Sequence, residues 1–460
     1  MGTTMRDWFV NVLAGGTKGS ADQVAYFFLR ADELLSNSST LGLIATNTIA
    51  QGDSREVGLD QIVSSGFTIT RAIQSRSWPA STVNLEYAAV WGTTGPVADD
   101  VPRISDDEPV KRITTLLEPG GRVHGAPTRL GENTNITFQG CIVLGMGFVL
   151  EPEEARAWIA EDSRNRDVLF PYLNGDDLNS RPDCSASRWV IDFYGRSVAD
   201  AESYRRPMDR VRALVKPQRD QNSRKTRREN WWLFAENATG MRKAIARFDE
   251  VLVIAQVSKT LMICRVPREQ VFSHKSVVFA TDSYADQAVL SSSFHQLWVT
   301  KYGSTMRTDM NYTPSDGFET LPRPVRTELL DQVGQSLDSE RRGIMLDRNL
   351  GLTSLYNLVN DPRVTDTSDS DIARMRATHV ELDEAVIDAY GWSDIQLDHG
   401  FHTYKKMERW TVCPAARVEV LDRLLEENHR RAAAESAATH KTAVKGRRGK
   451  KAPDGQGTLL

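Results

Sequence analysis

The sequence predicts an α/β unit that stops short of a complete fold, followed by an α+β region and then a helical one. Three observations carry this. Over residues 1–92 the apolar period shifts between helical steps and alternation, in the order helix, strand, helix, strand, strand. Residues 138–325 mix short apolar runs with aromatic residues and turns. From 326 to about 435 the apolar period is helical.

The elements follow in order. From Ala21, residues Val24, Phe27, Phe28, Leu34 and Leu35 recur at three- and four-residue steps. Residues 41–45 form a short apolar run, read as a buried strand. Asp53 or Ser54 caps the next helix, 53–65, with Gly66 as its stop. Residues 67–73 alternate as a strand does, and residues 83–91 read as another after the breaker Trp78-Pro79. Three strands are too few to cover both faces of a doubly wound sheet, so this region reads as half of an α/β domain. Residues 93–137 are rich in Gly, Pro, Asp and Thr and mark a boundary, placed at 105/106. Pro314, Pro322 and Pro324 close the second region at 325. Helices are expected over 326–338, 340–359, 371–390 and 414–434. Residues 436–460 carry few large apolar groups and are expected to form a disordered basic tail, with Lys441, Lys445, Arg447, Arg448, Lys450 and Lys451.

Composition narrows the class. Hydrophobic residues are 40% and charged residues 26% of 460, which excludes a disordered or collagen-like chain. No run approaches the ~18 apolar residues of a membrane span, and no basic-then-apolar leader is read at the N-terminus. The four cysteines, Cys141, Cys184, Cys264 and Cys413, include no C-x-x-C pair. They point away from zinc or a disulfide framework and toward a reducing cytoplasm.

Net charge is −4, yet residues 205–228 hold ten basic side chains against Asp209 and Asp220. The ten are Arg205, Arg206, Arg210, Arg212, Lys216, Arg219, Arg224, Lys225, Arg227 and Arg228. Two readings stay open. One is a solvated helix face. The other is a surface that grips phosphates, because a guanidinium fork matches two phosphate oxygens; such binding weakens with salt. Other signals are weaker. Gly145-Met-Gly147-Phe148 reads as a turn rather than a cofactor loop. His295 reads as a packed helical histidine. His399 and His402 have only Asp398 beside them, so no metal site is expected. Trp231-Trp232 is a core anchor or a stacking surface.

Residues 21–60, ADQVAYFFLRADELLSNSSTLGLIATNTIAQGDSREVGLD, resemble amino-methyltransferases acting on DNA, in particular the large MmeI-like (type IIL) restriction–modification enzymes. The resemblance continues through SWP (77–79), VNLEYAAVW (83–91), FQGCIVLGMGFVL (138–150), LFPYLNGDDLN (169–179), VLSSSFHQLW (289–298), NYTPSDGFETLPRP (311–324) and LDEAVIDAYGW (382–392), and covers roughly 5–435. It implies part of a class I (Rossmann-like) methyltransferase domain at 1–105, a target recognition domain at 106–325 and a helical C-terminal domain at 326–435. It implies S-adenosylmethionine as cofactor, adenine in double-stranded DNA as substrate, and no membrane partner.

The family's F-x-G-x-G cofactor loop and its Asn/Asp-Pro-Pro-Phe/Tyr catalytic motif occur nowhere in this sequence; in the family both precede the segment matched here. The expectation is therefore DNA recognition without methyl transfer unless an upstream methyltransferase half supplies both motifs. A non-catalytic specificity module or split-enzyme subunit is the alternative, and an RNA methyltransferase a further one. The resemblance also places an aromatic-Pro pair, here Trp78-Pro79, against a base swung out of the duplex. Asn47, in NTIAQGDSR, would line that pocket. Arg307 would pair with guanine and Asp309 with cytosine. Finally, residues 41–46 would present an unpaired strand edge, with some of Leu43, Ile44, Phe27 and Phe28 uncovered.

Overall fold

The structure, a computed structural model, describes residues 3–448 apart from 18, 80–84, 99–100, 111, 122, 124, 307–308 and 405–406. The first sheet contains β1 (Thr40–Thr46), β2 (Phe67–Ser77), β3 (Glu86–Thr94), β4 (Arg103–Ser105) and β5 (Glu108–Val110), in the order β1-β3-β2-β4-β5. β3 runs antiparallel to both β1 and β2, so it is inserted between two strands of like direction. Gly92 permits this packing: a Cβ there would lie 2.3 Å from the Phe67 ring. The helix Gln23–Glu33 is capped by Asp22, whose carboxylate accepts from the Val24 amide. It covers one face with Phe28 and Leu29.

Three expectations change here. The single helix over 53–65 is two, Gly52–Val57 and Leu59–Ser64. Gly58 separates them, because a Cβ there would press on Ala25 at 3.2 Å, and close approach of the helix Gln23–Glu33 fixes the break. The boundary at 105/106 falls inside the turn between β4 and β5, and Ile113 and Leu117 complete the same core. The unit therefore runs past residue 105, to about 117. The last hairpin strand begins at Glu86; residues 83 and 84 lie outside the described ones. Among the described residues β1 pairs on one side only. Ile44 (60% exposed) and Phe27 (67%) are uncovered, whereas Phe28 is fully buried and Leu43 half-buried.

The second region holds β6 (Thr137–Gln139), β7 (Val149–Leu150), β8 (Leu169–Leu173), β9 (Arg188–Ile191), β10 (Glu250–Ala255), β11 (Val257–Ser258), β12 (Cys264–Pro267), β13 (Val271–Phe272), β14 (Ser276–Phe279), β15 (Ser304–Met306) and β16 (Asp309–Asn311). They form three sheets, β12-β10-β14-β6, β13-β8-β9-β7 and β11-β16-β15. The helices Glu328–Asp347, Leu352–Val359 and Ser370–Tyr390 pack directly on this body. One hydrophobic core runs from Leu116 to Leu425, so residues 326–435 share a core with the second region.

The helix Glu328–Asp347 continues through the break expected at 339, and Gly334 lets it meet the Tyr284 carbonyl, which a Cβ would approach to 2.1 Å. A hairpin, β17 (Gly400–Tyr404) and β18 (Met407–Thr411), was not legible in the helical pattern. The final helix runs Pro414–Arg448, so residues 436–448 are helical rather than disordered; 449–460 lie outside the described residues.

His295 illustrates how the core accommodates polar groups. Its Nδ1 donates to the Leu290 carbonyl at 2.7 Å, so Nε2 accepts from the Tyr312 hydroxyl at 3.0 Å. Burial pushes its pKa down to about 4. The unfolded chain would protonate it at about 6.5, so stability is fully present above that pH and declines as pH falls toward 4. We expect the urea midpoint to fall between about pH 6.5 and 5, with this group contributing a slope of about 1.4 kcal/mol per pH unit. A midpoint that is flat over that interval would contradict a neutral, buried His295.

Candidate nucleic-acid interface

A cleft of about 1060 Å³ opens where the first sheet, the body formed by the three further sheets and the C-terminal helix meet. Asn47, Gln51, Gln74, Ser75 and Glu86 line one wall. Lys259, Thr300, Lys301, Gly303 and Met310 line the second, and Asn357, Asn360, Arg417, Leu421 and Asp422 the third. Leu116, Glu118, Pro119 and Gly121 join the walls.

The first wall is built by strand ends. Asn47 opens the short 3-10 helix Asn47–Ala50 directly after β1, so the expected polar loop is mostly helical turn. Its Nδ2 donates to Ser75 Oγ at 3.2 Å and to Glu86 Oε2 at 3.1 Å, while Ser75 Oγ donates to Glu86 at 2.5 Å. Glu86 can only accept, which orients the amide. The Asn47 Oδ1 has no partner among the described residues and is an acceptor at the cleft wall. Gln74 Nε2 donates to Glu118 at 2.7 Å and its backbone amide donates to Asp106 at 3.1 Å. These carboxylates thus accept from neutral donors.

The second wall carries two lysines that form no ion pair among the described residues, in a cleft whose lining also includes Glu86, Asp106, Glu118, Glu408 and Asp422. Lys259 and Lys301 have no carboxylate partner among the described residues; the Lys301 ammonium lies instead over the Tyr302 ring. Arg409 Nη2 donates to the Lys259 carbonyl at 2.6 Å, tying β18 to the residue after β11. The sequence did not single out Lys259, Lys301, Asn357 or Arg417. They lie scattered along the chain, and no local pattern marks them.

Of the expected site residues, Asn47 lies in the cleft. Trp78 is 41% exposed and meets Tyr87 edge-on at 5.4 Å; Pro79 is also exposed, and neither lines the cleft. Asp309 stands in β16 opposite Met306, on a hairpin whose base, Gly303 and Met310, lines the cleft. Arg307 lies outside the described residues.

The basic run forms a different surface, and its charge is largely compensated. Arg206 pairs with Glu161 (3.0 Å), Arg212 with Glu202 (2.9 Å), Lys216 with Asp220 (2.8 Å), Lys225 with Glu229 (3.6 Å) and Arg227 with Glu236 (3.8 Å). Arg210 bonds Glu154 and the carbonyls of Gly147 and Val149. Arg228 donates to the carbonyls of Asn222 and Ser223. Several of these acids come from outside the window that holds the basic run. Arg205 and Arg224 are exposed without a carboxylate partner among the described residues.

Arg219 corrects the expectation outright. It is 2% exposed, its Nη2 donating to the Val143 (3.0 Å) and Leu233 (3.3 Å) carbonyls, and burial pushes its pKa down. It is a structural residue, and no phosphate can reach it.

The remaining motifs resolve simply. Gly145 sits at φ +143 in a turn, and Gly147 packs against Leu214, which a Cβ would meet at 2.6 Å. Trp231 and Trp232 are half-buried against the main core, Trp232 donating to the Arg196 carbonyl. His399 Nε2 meets Asp383 at 2.8 Å, while His402 donates to the Asp398 carbonyl, so the two do not converge. Among the described residues no three His, Cys, Asp or Glu side chains gather to hold a metal. No described helix is long and apolar enough to cross a membrane.

This body borders the cleft, with the mixed-sheet unit on the other side, and its residues 123–325 match the family model described as MmeI, target recognition domain. A solved structure of the type IIL restriction–modification enzyme MmeI in complex with DNA is similar in fold, at a TM-score of 0.70 and 17% identity over 94% of this chain. The chain spans 55% of that protein's length. The type IIG restriction endonuclease BpuSI gives 12% identity over 85% of this chain and 53% of that one, with a TM-score of 0.27, too low to bear on the fold. No curated protein matches in sequence.

Arg219→Ala should lower stability by about 2 kcal/mol or more, through the cavity and the two carbonyls left unpaired. Arg224→Ala should stay within about 0.5 kcal/mol of the parent. Urea melts of both variants check this; equal midpoints would contradict the burial of Arg219.

Proposed function

We propose that this chain binds double-stranded DNA and reads its sequence, as the recognition portion of an adenine-specific, S-adenosylmethionine-dependent methyltransferase of the type IIL restriction–modification kind. The observation that carries the reading is the cleft, which sets the body matching the MmeI target recognition domain, with two lysines in no ion pair among the described residues, opposite Asn47. DNA affinity rests on phosphate neutralisation, and Lys259 and Lys301 can supply it without first breaking an ion pair. Asn47 Oδ1, held by Ser75 and Glu86, offers an acceptor to the amino group of an everted adenine. Trp78, exposed one hairpin end away, offers a face for stacking. The hairpin β15–β16, which carries Asp309, stands at the cleft's edge, where base readout would take place. Arg205 and Arg224, with Arg206, Arg212, Lys216, Lys225, Arg227 and Arg228 once their present bonds exchange, would form an outlying phosphate-binding surface.

Residues fit for a methyl donor's binding loop or for the catalytic Asn/Asp-Pro-Pro motif are absent from this sequence. In the proposed reading the chemistry comes from a methyltransferase half that adds to the open edge of β1 and covers Ile44 and Phe27. The same observations favour a second reading, a split-enzyme subunit or a specificity module that works without catalysis.

Fluorescence anisotropy with a labelled duplex should show binding that weakens with salt. The pair Lys259→Gln and Lys301→Gln should flatten the log–log slope by roughly 0.9 for each phosphate no longer neutralised. A folded double variant with the parental slope would place DNA elsewhere. With labelled S-adenosylmethionine, the chain alone should leave duplex DNA unmethylated; stoichiometric label on adenine would contradict that part of the proposal.

A further inference from the structure

We propose that Cys184 and Cys264 form a peroxide-responsive dithiol site within the recognition domain. The two are 80 positions apart, yet their sulfurs lie 3.7 Å from one another, with the Cys184 thiol donating toward Cys264. Cys264 opens β12 and is buried; Cys184 is half-buried, in the turn after the helix Gly175–Ser180, where its amide donates to the Arg181 carbonyl.

The charge around the pair favours a thiolate. Arg341 and Arg342, from the helix Glu328–Asp347, wall the same small cavity of about 20 Å³, with Asp338 and Met345. Arg341 is 3% exposed and its Nη1 has no hydrogen-bond partner among the described residues. The Cys184 hydrogen bond holds the Cys264 thiol below its usual range, and the nearby Arg341 guanidinium acts in the same direction. The cavity admits one molecule about the size of water, which suits a small oxidant and excludes bulky thiol reagents. The reach is short: a disulfide needs sulfurs about 2.05 Å apart, and Cys184 sits in a short turn.

The chemistry balances with hydrogen peroxide as oxidant. The Cys264 thiolate attacks one peroxide oxygen, the O–O bond breaks, and the departing hydroxide takes a proton to become water. The Cys184 sulfur then attacks the Cys264 sulfenic acid. An S–S bond forms, the S–O bond breaks, and the thiol proton leaves with the hydroxide as a second water. Two thiols lose two electrons and peroxide gains them.

The test treats the full chain with hydrogen peroxide, blocks remaining thiols by alkylation under denaturing conditions, and maps peptides without reduction. The expected result is a fall from four alkylated cysteines to two, with a Cys184–Cys264 cross-link and Cys141 and Cys413 still alkylated. Melting should rise by roughly 5 °C, because the bridge closes a long loop, and dithiothreitol should reverse it. Cys184→Ser should abolish the cross-link and leave Cys264 as a sulfenic acid, trapped by dimedone once the treated chain is denatured in its presence. Four alkylated cysteines after treatment, a bridge to Cys141 or Cys413, or oxidation of Cys184 and Cys264 without a mutual cross-link would overturn the proposal. None of these outcomes depends on DNA binding.

Discussion

The C-terminal helix crosses the segment by which the chain enters the recognition body, and Asn428 fixes the crossing. Its side chain is fully buried, accepting from the Thr128 amide at 2.8 Å and donating to the Thr128 (2.7 Å) and Thr320 (2.6 Å) carbonyls. One amide thereby joins the entry of the recognition domain, its exit and the last helix. Arg431 adds bonds to Glu132 and the Arg323 carbonyl, and Glu435 accepts from the Gly131 amide. Buried polar groups of this kind are costly when unpaired, so a fully satisfied set specifies one arrangement. The consequence reaches the cleft. Gly121 lies so close to Asp422 that a Cβ would meet its carboxylate at 2.1 Å, and both residues line the cleft. The width of the candidate interface therefore depends on the last helix, far along the chain from the residues that would touch DNA.

The electrostatic pattern follows from what is paired rather than from what is abundant. The basic run is dense in sequence but meets acids from neighbouring segments, such as Glu154 and Glu161. Exposed pairs of this type contribute little to stability, yet they lower the local potential that would attract phosphates. Lys259 and Lys301 contribute less charge in total but face the cleft without such partners. Placement thus outweighs density in choosing between the two surfaces.

Local pattern made much of the fold legible. The strand Thr40–Thr46, the helix Gln23–Glu33 and the helix Ser370–Tyr390 follow from apolar period, and Asp22 and Asp369 cap the two helices. The short strands β4 and β5 escaped notice because three residues cannot display a period. The break at Gly58 and the unbroken helix through Ser339 were decided by tertiary approach, at Ala25 and at the Tyr284 carbonyl. At the candidate site, Asn47 was legible from its position after an apolar strand. Lys259, Lys301 and the Cys184–Cys264 pair were not, since each acquires meaning only from residues distant in sequence. Arg219 misled because charge in a sequence carries no sign of burial.

The central claim, that duplex DNA lies in the cleft between the first sheet and the recognition body, is most directly tested by amide hydrogen exchange with and without a bound duplex. The account predicts slowed exchange in 47–51, 257–260, 300–304, 357–360 and 417–422, the segments that line the cleft. Protection confined to 205–228, with the cleft segments unchanged, would contradict it.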